Sequence, residues 1–312
     1  MSAQKHRPGV FAGRKAWLVL AGIALCFGAA RDSSADRRVT LLPRLHPGQV
    51  LHYQIHGRVE RDVTTESRVT SMAKPADLKE DISLELQITI REIRMESGRP
   101  LVVAHGEFQL PSDAAGKTAP AANPGVDFTI DGAGQLQKAE GLDNLEAEQR
   151  LVWQFWIARF AYGWTLPAGG VKPGQSWKTE EPERTPGPIA NLVWDQQTTY
   201  GQNDKCATMP TETCAVFLTT AKLKQKSSPK EATPEEYKLH ELKTSGTTSG
   251  TNEIFTSISL KSGLVLRATE DGKQSMDVEI AKIDKSNAIH YKLEVTSRFE
   301  MVMVPEPKTQ LR

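Results

Sequence analysis

The residues best equipped for chemistry in this chain do not assemble into a reactive pattern. His52 and His56 fall on one face of a period-2 run. Four residues of extended chain hold them about 13 Å apart, too far to share a metal ion. His240-Glu241 starts like the zinc-binding helix of a protease, but Leu-Lys-Thr follows and Thr244 stands where the second histidine is required. Ser71 with Lys74, and Ser227 with Lys230, have the Ser-x-x-Lys spacing of penicillin-binding enzymes, and Lys261-Ser262-Gly263 resembles their later Lys-Thr-Gly element. That chemistry needs its serine at the start of a buried helix, together with a middle Ser-x-Asn element. Both serines here fall in polar segments, and the middle element is missing. There is no G-x-S-x-G elbow, no glycine loop for phosphate and no dinucleotide fingerprint. The chain is therefore expected to carry no catalytic residue, metal ligand or cofactor, and a hydrolase of unrecognised class is the weakest of three functional alternatives.

Three cysteines divide by position. Cys26 lies in the apolar run 16–30, which follows the basic residues Lys5, Arg7, Arg14 and Lys15 and precedes small residues at 28–30 and 33–35. Basic leader, apolar stretch and small-residue site together make a cleavable secretory signal over residues 1–35. The 15-residue run is short for a retained anchor, which takes about 20 residues. Leu25 occupies the position before Cys26 where a lipidation site takes Gly, Ala or Ser, so lipid attachment is also disfavoured. The expected location is periplasmic or extracellular. Cys206 and Cys214 then stand on either side of ATMPTET between strand-like segments, and an oxidising compartment favours a disulfide between them. The leader removes five basic residues and one acidic residue, taking the formal charge from +1 to −3. The remaining charges are interspersed, with no footprint for nucleic acid or an anionic membrane.

The strongest concentration of one residue type is aromatic. Residues 141–164 hold Trp153, Phe155, Trp156, Phe160, Tyr162 and Trp164, six of the chain's 20 aromatic residues. At 100° per residue, Leu145, Val152, Trp153, Trp156, Ile157 and Phe160 share one side, Leu151, Phe155 and Tyr162 widen it, and Arg150 and Gln154 mark the wet strip. Asp143 or Asn144 is the expected cap, and Gly163 with Pro167 ends the helix. So broad an apolar surface must be enclosed by protein. It serves either as core or as the wall of a groove in which Trp153, Trp156, Phe160 and Trp164 contact a lipid or acyl chain.

The elements around this helix read as β. Leu51, Tyr53, Ile55 and Val59 alternate with polar residues, continuing weakly to Val69 as one long strand or a hairpin. Ile82, Leu84, Leu86, Ile88 and Ile90 alternate cleanly before apolar parity switches to Ile93 and Met95, which requires a bulge near Arg91-Glu92. Residues 111–125 lack periodicity and read as a loop, and Asp131-Gly132-Ala133-Gly134 reads as a hairpin turn. Lys172-Pro173-Gly174-Gln175 repeats His46-Pro47-Gly48-Gln49 at an offset of 126, and Gly263 follows Gly134 at 129, which points to a duplicated β module. The expected organisation is a signal at 1–35, a first β half at 36–140, the helix and linker at 141–170, a second β half at 171–304 and a polar tail at 305–312.

Gly246-x-x-x-Gly250, Phe255 and Gly263, followed by long strands rich in Thr, Met and charge, resemble exported bacterial β-domain families of uncharacterised function. More distantly, the arrangement resembles periplasmic lipoprotein carriers, whose curved sheet wraps helices over an apolar cavity. The resemblance covers residues 244–304 and the central helix, and it carries no individual functional residue. The fold expected is mainly β, with two-lobed antiparallel curved sheets or half-barrels around one long helix. The leading functional expectation is a non-enzymatic envelope protein that binds a lipid or acyl chain. The alternative is a structural or interaction module that recruits an envelope protein partner through an exposed strand edge.

Overall fold

The computed structural model describes residues 38–67, 78–96, 99–109, 125–183, 187–284 and 287–305. The segment expected to be a leader, with Cys26, the Ser71–Lys74 pair, most of the loop expected at 111–125 and the tail expected beyond 305 lie outside them.

Eleven strands form one antiparallel sheet that is not closed. They are β1 (Val50–Ser67), β2 (Leu78–Glu96), β3 (Arg99–Gln109), β4 (Gly125–Ile130), β5 (Leu136–Glu140), β6 (Ser176–Pro182), β7 (Leu192–Lys205), β8 (Thr213–Gln225), β9 (Leu242–Ser259), β10 (Val265–Lys282) and β11 (Ile289–Val304). Their order is β5-β4-β3-β2-β1-β11-β10-β9-β8-β7-β6. The mainly antiparallel-β architecture with one long helix is the one read from the sequence. Its two strand-rich halves meet edge to edge, because β11 pairs with β1 from His52↔Val304 to Ser67↔Ile289. β1 is a single long strand without a hairpin, and its inward residues Leu51, Tyr53, Ile55 and Val59 are buried. The parity switch in β2 is a register shift between Ile90 and Glu92 against β3.

The helix α1 (Ala147–Phe160) continues as a 3-10 turn over Ala161–Thr165 and connects β5 to β6, the two edges of the sheet. Its cap is Glu146, not Asp143 or Asn144, which form a separate short turn over Leu142–Asn144. Gln149 Oε1 accepts the Glu146 backbone N–H at 3.0 Å, so the start is set by a side chain three residues inside the helix. Trp153 meets Phe128 of β4, Trp156 meets both Phe128 and Tyr53 of β1, Phe155 stacks on Phe299 of β11, and Tyr162 meets Phe217 of β8. The helix advances about 13 Å from residue 153 to 162. A flat sheet would spread β4 to β8 over about 33 Å, so the sheet must bend around the helix and hold it on a concave face.

The two Pro-Gly-Gln turns share one hydrogen-bond pattern. In the first Pro-Gly-Gln turn the Gly48 N–H donates to Ile90 O, Gln49 N–H to His46 O, His46 N–H to the Gln49 side chain, and Ile90 N–H to Gln49 O. In the second, Gly174 N–H donates to Tyr200 O, Gln175 N–H to Lys172 O, Lys172 N–H to the Gln175 side chain, and Tyr200 N–H to Gln175 O. Both glycines hold positive φ, 79° and 80°, where a side chain is strained. The strand receiving each turn is irregular immediately afterwards, between Ile90 and Glu92 and between Tyr200 and Asn203. Each half thus starts with the same latch, and β11 of the second half joins them by pairing with β1.

Candidate functional site: a cavity between the helix and the sheet

Burial on the concave face is interrupted midway along the strands. The main core contains the inner side of α1 with Ala268, Phe217 and Met301; a second, smaller core holds Ile189, Leu192, Leu223, Ala232, Met276 and Val278. On β10 the inward positions between Ala268 and Met276 are Glu270, Gly272 and Gln274, which cannot continue an apolar layer. On β9 the residue paired with Gly272 is Asn252. A cavity of about 350 Å³ opens at this break.

One wall is apolar, built from Leu151 and Phe155 of α1, Val59, Ile254, Val295 and Phe299. Phe299 owes its orientation to its cross-strand partner Gly57, where an added Cβ would lie 2.5 Å from the ring. With that space clear, Phe299 stacks on Phe155 at 5.1 Å between centroids and an interplanar angle of 24°.

The rest of the lining is largely polar. Arg159 Nη2 donates to Glu270 Oε2 at 2.6 Å, and Asn252 Nδ2 donates to Glu270 Oε1 at 2.8 Å, so both carboxylate oxygens are held. The pair is largely shielded, with side-chain exposures of 13% for Arg159 and 15% for Glu270. The Arg159 guanidinium lies 5.7 Å from the Phe155 ring centroid, which joins the polar wall to the apolar one. Arg159 Nε is buried without a hydrogen-bond partner. Glu183 accepts the Trp194 indole N–H at 2.7 Å, and Arg61 meets Glu80 at 3.3 Å. Glu181, Glu183 and Glu270 are matched in the lining by Arg61, Arg159 and Lys273.

The four residues expected either as core or as the wall of a groove take the core position. Trp153, Trp156, Phe160 and Trp164 are all buried in the main core, and none lines this cavity. Trp156 and Phe160 stack at 4.7 Å, and Trp153 lies edge-on to Phe128 at 5.1 Å. The cavity is served by the other side of the helix, where Leu151 and Phe155 join the strip of Gln154, Ala158 and Arg159. Sequence reasoning missed Arg159 and Glu270 because 111 residues separate them. The available signal was the polar break at inward positions 270, 272 and 274 of an otherwise buried series.

Two other pockets, of about 460 and 380 Å³, lie on the sheet, one beside Pro100 and Thr129 and one beside His56 and Arg298, and neither is lined by the helix. His56 Nδ1 lies 3.1 Å from Ser83 Oγ, Lys261-Ser262-Gly263 belongs to the β9–β10 turn, and Ser227 Oγ donates to Ala190 O. Among the described residues, no group of three or more His, Cys, Asp or Glu side chains is placed to hold a metal ion. The expected disulfide is present: Cys206 and Cys214 pair with Cα atoms 5.1 Å apart where β7 turns into β8. No protein-family model matches the chain, and none of the curated proteins is significantly similar to it.

Proposed function

We propose that this is a non-enzymatic protein of the cell envelope that holds an apolar chain, a lipid or acyl group, in the cavity between α1 and the concave sheet. The observation that carries this reading is the apolar wall of Leu151, Phe155, Val59, Ile254, Val295 and Phe299 facing open space of about 350 Å³. That volume lies at the lower end of the roughly 300–1,000 Å³ usual for small-molecule sites, a size suited to one chain. The secretory leader read at 1–35 and the Cys206–Cys214 disulfide support an exported location. The interaction-module alternative is less favoured by the sheet edges. β5 has only five residues and β6 seven, and β6 carries Glu180, Glu181 and Pro182, features that blunt an edge against strand addition.

The test uses N-phenyl-1-naphthylamine, a neutral dye that brightens in apolar sites. Its fluorescence should rise with the wild-type protein and fall on adding dodecan-1-ol. Ala158→Trp, an exposed helix position on the cavity lining, should fill the space and abolish the rise while leaving the fold intact. Equal dye binding by both proteins would remove the cavity as the site.

A further inference from the structure

Resting on that reading, we infer that the cavity selects a chain with a carboxylate head, and that Arg159 is the residue that receives it. A guanidinium has five N–H donors. The Arg159 side chain makes one hydrogen bond, from Nη2 to Glu270; Nη1 makes none and, unlike Nε, is not sealed from solvent. An accessible guanidinium nitrogen gains charge-assisted hydrogen bonds when an anionic acceptor replaces water beside it. The flat fork of a guanidinium matches a carboxylate better than a hydroxyl or an ester, because two parallel hydrogen bonds form and both are charge-assisted.

The surroundings fix how such a ligand lies. Glu270 already neutralises one edge of Arg159 and is itself held by Asn252, so it anchors the guanidinium and leaves the remaining donors for the ligand. Arg159 lies against the ring of Phe155, which also stacks on Phe299. A carboxylate at Arg159 therefore places its first methylenes along the Phe155–Phe299 wall, toward Val59 and Val295. Glu181 and Glu183 also line the cavity and oppose an anion, Lys273 offsets part of their charge, and Arg61 is already paired with Glu80. The arrangement suits a single negative charge and disfavours a doubly charged phosphate head.

The experiment compares displacement of N-phenyl-1-naphthylamine by dodecanoate, dodecyl phosphate and dodecan-1-ol. In the wild type, dodecanoate should displace the dye at a concentration about tenfold or more below dodecan-1-ol, with dodecyl phosphate weaker than dodecanoate. Arg159→Gln should bring the ratio of the dodecanoate and dodecan-1-ol values, read within the one protein, close to one, and Arg159→Lys should retain part of the difference. Equal displacement by dodecanoate and dodecan-1-ol in the wild type overturns the head-group assignment, whatever the variants do, and leaves the cavity reading standing. An unchanged preference in folded Arg159→Gln overturns the role of Arg159. If the dye does not bind the wild type at all, the cavity reading itself fails.

Discussion

Arg159 on α1 and Glu270 on β10 meet at 2.6 Å and tie the one long helix to the centre of the sheet. Both are mostly shielded, so removing one partner leaves the other charge without its neutralising contact. Glu270→Gln is expected to lower stability by about 1–3 kcal/mol. The double variant Glu270→Gln/Arg159→Gln should recover part of that loss, measured by urea unfolding as a double-mutant cycle. Strict additivity of the two single losses would show that the contact carries no coupling.

Trp156 occupies the middle of the main core, edge-on to Tyr53 and Phe128 and stacked on Phe160. Trp156→Ala should cost about 3–5 kcal/mol. It should act through stability alone, because Trp156 does not line the cavity. A small stability change accompanied by lost dye binding would instead return this residue to the ligand.

Tyr53 is fully buried, its hydroxyl has no hydrogen-bond partner, and burial pushes its ionisation well above the usual phenol value. The unfolded chain releases this proton near pH 10, whereas the folded chain keeps it. This contribution to stability is complete below pH 10 and is lost as pH rises above it. Tyr53→Phe should change stability at pH 7 by no more than about 1 kcal/mol and should flatten the decline between pH 10 and 11. Urea unfolding at several pH values measures both effects, and an unchanged alkaline slope would count against the burial account.

Gly57 lies under the Phe299 ring. Gly57→Ala must displace that ring, with an expected cost of about 1–3 kcal/mol. The displacement should also disturb the Phe155–Phe299 stack and weaken dye binding several-fold. Normal affinity in a destabilised Gly57→Ala protein would separate this stack from the site.

The disulfide joins cysteines eight positions apart. Replacing both with serine should lower stability by roughly 2–3 kcal/mol, by chain-entropy reasoning for so short a loop. The cavity uses neither cysteine, so dye affinity should be unchanged.

Much of this fold is legible because it repeats locally. The alternation from Ile82 to Ile90, the parity switch at Arg91-Glu92, the aromatic helix and the paired Pro-Gly-Gln turns each depend on neighbours within a few residues. The join between the halves is different: Tyr53 pairs with Met303, and no local period links two residues so distant in sequence. The helix start was misplaced for a related reason. Asp143 and Asn144 have good capping chemistry, but Gln149 inside the helix decides the boundary by accepting the Glu146 N–H. The site was obscured by its own composition. Large aromatic residues mark burial, and here Trp153, Trp156, Phe160 and Trp164 fill the core, whereas the open space forms where Glu270, Gly272 and Gln274 break the inward apolar series.

The most direct test is native mass spectrometry of the protein isolated from its source cells, beside the Ala158→Trp variant prepared identically. The account predicts a bound single-chain lipid on the wild type, released on activation as a carboxylate, and a bare mass for the variant. A bare mass for both proteins, or the same adduct on both, would contradict it.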